Sequence, residues 1–164
     1  MAIAASTALW FLPFVLPICF YVAWSDMRAM RIPNYAVIAL AVVFLVVGLV
    51  ALPLSDYPWR LLNMGIVLLA GMVLNAAGLV GAGDAKFTAA AAPFIDPADM
   101  APLLMIFAAN VLAAFVTHRL AKHSALRQMA PEWESWTIKG DFPMGFALGG
   151  TLGIYLILGA FIGQ

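Results

Sequence analysis

The sequence predicts an all-α polytopic membrane protein of six transmembrane helices, the fourth of them short, with both termini on the outer side. Three observations carry that expectation. The 164 residues are 65% hydrophobic and 10% charged, with a mean hydropathy of +1.02, whereas soluble domains are about half apolar. Apolar runs of roughly 20 residues, the length that crosses about 30 Å of hydrocarbon, recur along the chain. The basic residues are also distributed unevenly between alternate loops, as topology requires.

The first run, 2–24, is too long for the apolar core of a signal peptide, and no small-residue cleavage site follows it, so it is expected to be a retained helix. Cys19 lies alone inside it. No disulfide framework or cysteine zinc site can then be built within the chain, and Cys19 is either lipid-facing or packing filler. Further runs cover 34–54, 61–80, 101–120 and 142–163. The remaining stretch, Asp84 to Ile95, has 12 residues, only about 18 Å of helix. Charge decides whether it counts. With six spans and the N-terminus outside, seven of the eight basic residues fall in cytoplasmic loops, and Arg60 is the exception. Without the short span, Asp96 and Asp99 would become cytoplasmic, and Arg119, Lys122, Arg127 and Lys139 would cross the membrane. Either the short helix thins the bilayer or the Gly81–Asp84 turn dips below the headgroups, and the glycines favour the dipping turn. The formal net charge is zero, which offers nucleic acid no electrostatic footing.

Spans one and three run in the same direction, so Asp26 and Asp84, each just past the end of its span, reach one face although 58 residues separate them. Asp56, Asp96 and Asp99 fall on the other face, leaving Asp141 as the remaining aspartate on the first. An ionisable group at membrane depth costs about 2.5–3.5 kcal/mol on insertion scales and marks function. Two carboxyls in one wet pocket do not both ionise easily; one holds a proton while the other takes a proton from water. That is the chemistry of aspartic proteolysis. The plainer alternatives are that Asp84 caps the following helix, that Asp26 pairs with Arg28, and that Ser25 is a turn residue.

"GAGDAK", Gly81 to Lys86, resembles the GxGD signature of membrane-embedded aspartic proteases in the GxGDxK form of the type IV prepilin peptidase family. "SDMRAMRIPN", Ser25 to Asn34, resembles that family's first aspartate site, and "FPMGFALGG", Phe142 to Gly150, its late Pro-x-Gly segment. Met144 stands where that pattern leads one to expect an aromatic residue. The resemblance covers essentially the whole chain as one membrane-embedded peptidase domain, 1–164. It implies that Asp26 and Asp84 are the catalytic aspartates, with no metal or organic cofactor. It further implies a prepilin-like precursor as partner, cut in its short basic leader at the cytoplasmic face of the inner membrane. The large bifunctional members carry a cysteine-rich cytoplasmic segment and N-methylate the product; with one cysteine, this chain resembles the compact peptidases of Flp-type, tight-adherence pili, or else the archaeal preflagellin peptidases.

In that frame Pro33 suits the first turn of the second helix and Asn34 can cap it, holding Asp26 on an elbow. Gly81 and Gly83 permit a turn that brings Asp84 close to the substrate backbone. Lys86 pairs with a carboxylate or holds substrate, or else snorkels to the interface. Pro143 and Gly145 let the last helix pack or bend beside the acids, or serve packing alone. Residues 121–140, with Trp133 and Trp136, are expected along the headgroup interface, with Glu132 and Glu134 available to a basic leader. His118 and His123 are expected as interfacial residues of that loop, without metal spacing. Two other function classes compete with the peptidase. A proton-coupled transporter would use the same acids as a relay, and a scaffold subunit would use them as caps; no convincing internal repeat supports the transporter.

Overall fold

The computed structural model describes residues 1–138 and 142–164; Asp141 and Lys139 lie outside them. Six α-helices run in chain order: α1 (Ala5–Ala29), α2 (Asn34–Ala51), α3 (Tyr57–Ala76), α4 (Ala82–Ala91), α5 (Met100–Lys122) and α6 (Met144–Ile162). All but α4 are long and apolar enough to cross a membrane. The chain is an all-α polytopic membrane protein.

The helix ends shift from the apolar runs for identifiable reasons. Helix α1 does not stop at Trp24; it carries Ser25 and Asp26 in its last turns, because a helical hydrogen-bond ladder is indifferent to hydropathy. It stops at Met30, whose φ of 48° is left-handed and whose N–H donates back to the Asp26 carbonyl. Helix α3 begins at Tyr57, four residues before its apolar run, with Pro58 in its first turn. It ends before Gly78, which takes φ +73°. Pro13 and Pro17 sit inside α1, which continues through both.

Helices α1 and α6 form the central antiparallel pair. With hydrocarbon outside as well as inside, close approach rather than the hydrophobic effect drives such pairing, and small residues permit it. A Cβ at Gly149 would lie 2.7 Å from the Cys19 carbonyl oxygen, and one at Gly159 would lie 2.8 Å from Ile3 Cγ2. Cys19 is therefore buried against α6 rather than lipid-facing. Toward the end bearing the termini, Phe11, Phe44 and Phe94 pack edge-on and stacked, with the Phe11 and Phe94 ring centroids 4.7 Å apart.

Both termini lie at one end, where the Met1 amino group donates to the Ile162 carbonyl. A polar network closes that end. Asp99 accepts the N–H groups of Ala2 (2.7 Å) and Ile3 (3.0 Å) and the Tyr155 hydroxyl (2.9 Å). Tyr155 in turn accepts the N–H of Asp96. Arg60, buried, pairs with Asp96 at 2.5 Å and donates to the Ile95 carbonyl. Arg60, the one basic residue at odds with the charge rule, is thus neutralised by the acid on its own face.

Candidate active site

The elbow after α1 is built by backbone. The Ser25 hydroxyl donates to the Arg31 carbonyl at 3.1 Å, drawing the chain back across the helix end. Asp26 is buried inside the last turn of α1, not on the elbow beyond it. It does not pair with Arg28, whose guanidinium lies 5.1 Å over the Trp24 ring instead. Pro33 occupies the N-cap position of α2 with extended backbone, φ −70° and ψ 139°, not its first turn. A capping side chain must come from that non-helical residue, and the proline ring has no acceptor. Asn34, already helical, therefore caps nothing; its amide oxygen accepts from Lys86 Nζ at 3.2 Å. Lys86 binds neither carboxylate.

The glycine-rich segment is also more regular than the sequence suggests. The left-handed turn falls at Gly78, whereas Gly81 is the N-cap of α4 and Gly83 and Asp84 lie in its first turn. Asp84 does not cap: it sits three residues inside the N-cap. The two glycines serve close approach. A Cβ at Gly81 would lie 2.8 Å from Asp84 Oδ2, and one at Gly83 would lie 3.3 Å from Ile32 Cβ. Gly83 on Ile32 and Lys86 on Asn34 therefore dock the two aspartate-bearing segments on each other. A third contact sets the level of α4 along α3. A Cβ at Gly71 of α3 would touch Ala85 Cβ at 3.0 Å. Gly71 is five residues from the end of α3, so Ala85, in the first turns of α4, lies about 7 Å inside that end, at 1.5 Å per residue. The expected Gly81–Asp84 turn is helical from Ala82 onward.

Asp26 and Asp84 line the same cavity of about 1480 Å³ and lie within electrostatic reach of each other. The third segment meets them there. The Gly145 N–H, in the first turn of α6, donates to Asp26 Oδ2 at 2.6 Å. A charge-assisted bond at a helix N-terminus, where free N–H groups and the macrodipole favour negative charge, fixes one carboxylate oxygen. Gly145 must be glycine: a Cβ would lie 2.9 Å from Asp26 Cβ. Pro143, the N-cap of α6, has no side-chain acceptor, and the distant Asp26 supplies one in its place.

Part of the segment after α5 packs back on the bundle. Trp136 and Ser135 are buried, and the short turn Glu134–Trp136 packs on α1. His118 belongs to α5, is buried, and stacks on Trp136 with ring centroids 5.0 Å apart, with Phe142 edge-on at 5.9 Å. This clamp holds Glu134 and Phe142 at the cavity wall. Sequence reading missed the His118–Trp136 pairing, because nothing in the spacing of an interfacial loop announces a stack. Glu132 is exposed and does not line the cavity. Among the described residues, no group of three or more His, Cys, Asp or Glu side chains is placed to hold a metal ion.

A match to the type IV leader peptidase family covers residues 13–118, which include both aspartate-bearing segments but not the one containing Gly145. Neither a curated protein nor a solved structure matches the chain.

Proposed function

The chain belongs to the type IV leader peptidase family, a family of hydrolases, and from that premise we propose that Asp26 and Asp84 are its catalytic pair. The observation that carries the reading is their meeting in one cavity from segments far apart in sequence. The pair holds one proton. The ionised carboxylate takes a proton from water as the water oxygen attacks the scissile carbonyl carbon, and the protonated carboxyl hydrogen-bonds the carbonyl oxygen as charge develops there. Collapse of the tetrahedral species breaks the C–N bond, the departing amine receives the proton taken from water, and the pair again holds one proton. The Gly145 N–H restrains Asp26 during this exchange. The shared proton belongs to the pair rather than to either residue.

The substrate we propose is a pilin-like precursor with a short basic leader, cut at the cytoplasmic face of the inner membrane; an archaeal preflagellin offers the same chemistry. Charge supports the orientation. Arg28, Arg31, Lys86, Arg119, Lys122 and Arg127 lie toward the acid-bearing end, and Arg60 at the other end is neutralised. Co-expression with a Flp-type precursor tests the substrate. Mass spectrometry of the mature product is expected to find a new N-terminus just after the basic leader; an intact precursor, or a cut elsewhere, rejects it.

A further inference from the structure

The cavity is not a pocket around the two acids but a groove that continues from them along the bundle. Helix α3 packs on α4 and helix α5 on α6, while α3 and α5 make no substantial contact with each other. The groove lies between these pairs. At one end it is lined by Asp26, Asp84, Arg31 and Glu134, and toward the other by Ile95, Pro97 and Met100. At about 1480 Å³ it exceeds the roughly 300–1,000 Å³ of small-molecule sites. Four helices each turn a single face to it. From α4 come Asp84, Phe87, Thr88 and Ala91; from α5, Met100, Leu103, Leu104 and Phe107. Asn63, Ile66 and Val67 of α3 and Leu148, Thr151 and Leu152 of α6 also line it. Spacings of three, four and seven residues are those of helix-to-helix contact faces. Ile66 is 54% and Leu104 57% exposed, so the groove opens sideways, where a membrane protein meets lipid.

We propose that this lateral groove seats an apolar α-helix of the polypeptide being cut, entering sideways between α3 and α5 so that the chain leading into that helix crosses Asp26 and Asp84. The inference rests on the peptidase reading and deepens it. The groove is graded along its length: three acids and one arginine at the acid end, then side chains that are almost all apolar. An occupant that matches it is basic at one end and an apolar helix over the rest, held as in other helix-in-groove complexes. Asp84 shares its helix face with Phe87, Thr88 and Ala91, so a helix resting on that face points its leading end at the carboxylate.

Cysteine cross-linking tests the seat independently of catalysis. Full-length Asp84→Asn carrying Ile66→Cys or Leu104→Cys is co-expressed with a precursor bearing single cysteines along its apolar helix, and membranes are oxidised. Val46→Cys, on the exposed outer face of α2, is the reference. Disulfides between precursor and positions 66 and 104, several-fold above those at 46, are the expected result. Equal yields at all three positions overturn the proposal, as do disulfide-linked dimers of the chain forming in place of precursor adducts. Cutting by the wild-type chain without groove adducts sinks the seat alone, whereas a wild-type chain that leaves the precursor intact sinks the peptidase reading and this inference with it. Ile66→Trp and Leu104→Trp are expected to slow precursor cutting about tenfold, equivalent to ~1.4 kcal/mol in the barrier, with Val46→Trp unchanged.

Discussion

Gly145 carries no side chain because Asp26 occupies the space that one would need. Gly145→Ala must displace either the carboxylate or the start of α6, since the clash at 2.9 Å is with Cβ rather than with the end of a flexible chain. On the proposed mechanism, a shift of Asp26 by a fraction of an ångström misplaces it for proton transfer, and a loss of about tenfold or more in precursor cutting is expected. Gly65→Ala, which meets nothing within 4 Å, is expected to cut at the wild-type rate at matched membrane levels. The two aspartates were legible in the sequence because glycine, aspartate, proline and basic residues interrupt apolar runs there. The bond from Gly145 to Asp26 was not, since its partners are 119 residues apart and a backbone donor leaves no mark on residue type. The Asn34 cap failed for a related reason: a one-residue difference in where α2 begins turns a cap into an exposed acceptor for Lys86.

The α1–α6 pair depends on approach between backbones. At Gly149 an added side chain would meet the Cys19 carbonyl at 2.7 Å, a backbone atom that moves only with its helix. Gly149→Val is therefore expected to destabilise the fold by about 1–3 kcal/mol, as overpacking does, read as a lowered midpoint in thermal unfolding in detergent. Asn110 links α5 to α6 by donating to the Ala147 carbonyl at 2.6 Å and to Thr151 at 3.1 Å. Asn110→Leu is expected to cost about 0.6 kcal/mol, the average for interhelical hydrogen bonds in membranes, a smaller shift in the same experiment than that of Gly149→Val. Most of the helices were legible as apolar runs, and the short α4 from charge distribution. Their boundaries were less so, because hydropathy marks where a chain prefers lipid, while the ladder ends at Met30 and near Gly78 for conformational reasons.

Across the whole molecule, charge is sorted to the two ends, and the exception is paired. Arg60→Leu leaves Asp96 beside a buried, vacated site and is expected to cost about 3–5 kcal/mol, whereas Arg60→Leu with Asp96→Leu recovers much of that loss; equal destabilisation by both would show that the pair contributes little beyond packing. The ordering of spans and the sharing of one end by Asp26 and Asp84 were legible from the direction of each run. The groove was not, because helices that are apolar all round carry no pattern distinguishing a face toward a neighbour from one toward lipid. Asp26 and Asp84 are proposed to act together on a peptide bond. Precursor cutting by Asp26→Asn, Asp84→Asn and the exposed, opposite-end Asp56→Asn, compared with wild type at matched membrane levels, is the decisive test. Loss of cutting in each of the first two with retention in the third is predicted; continued cutting by either Asp26→Asn or Asp84→Asn would contradict the account.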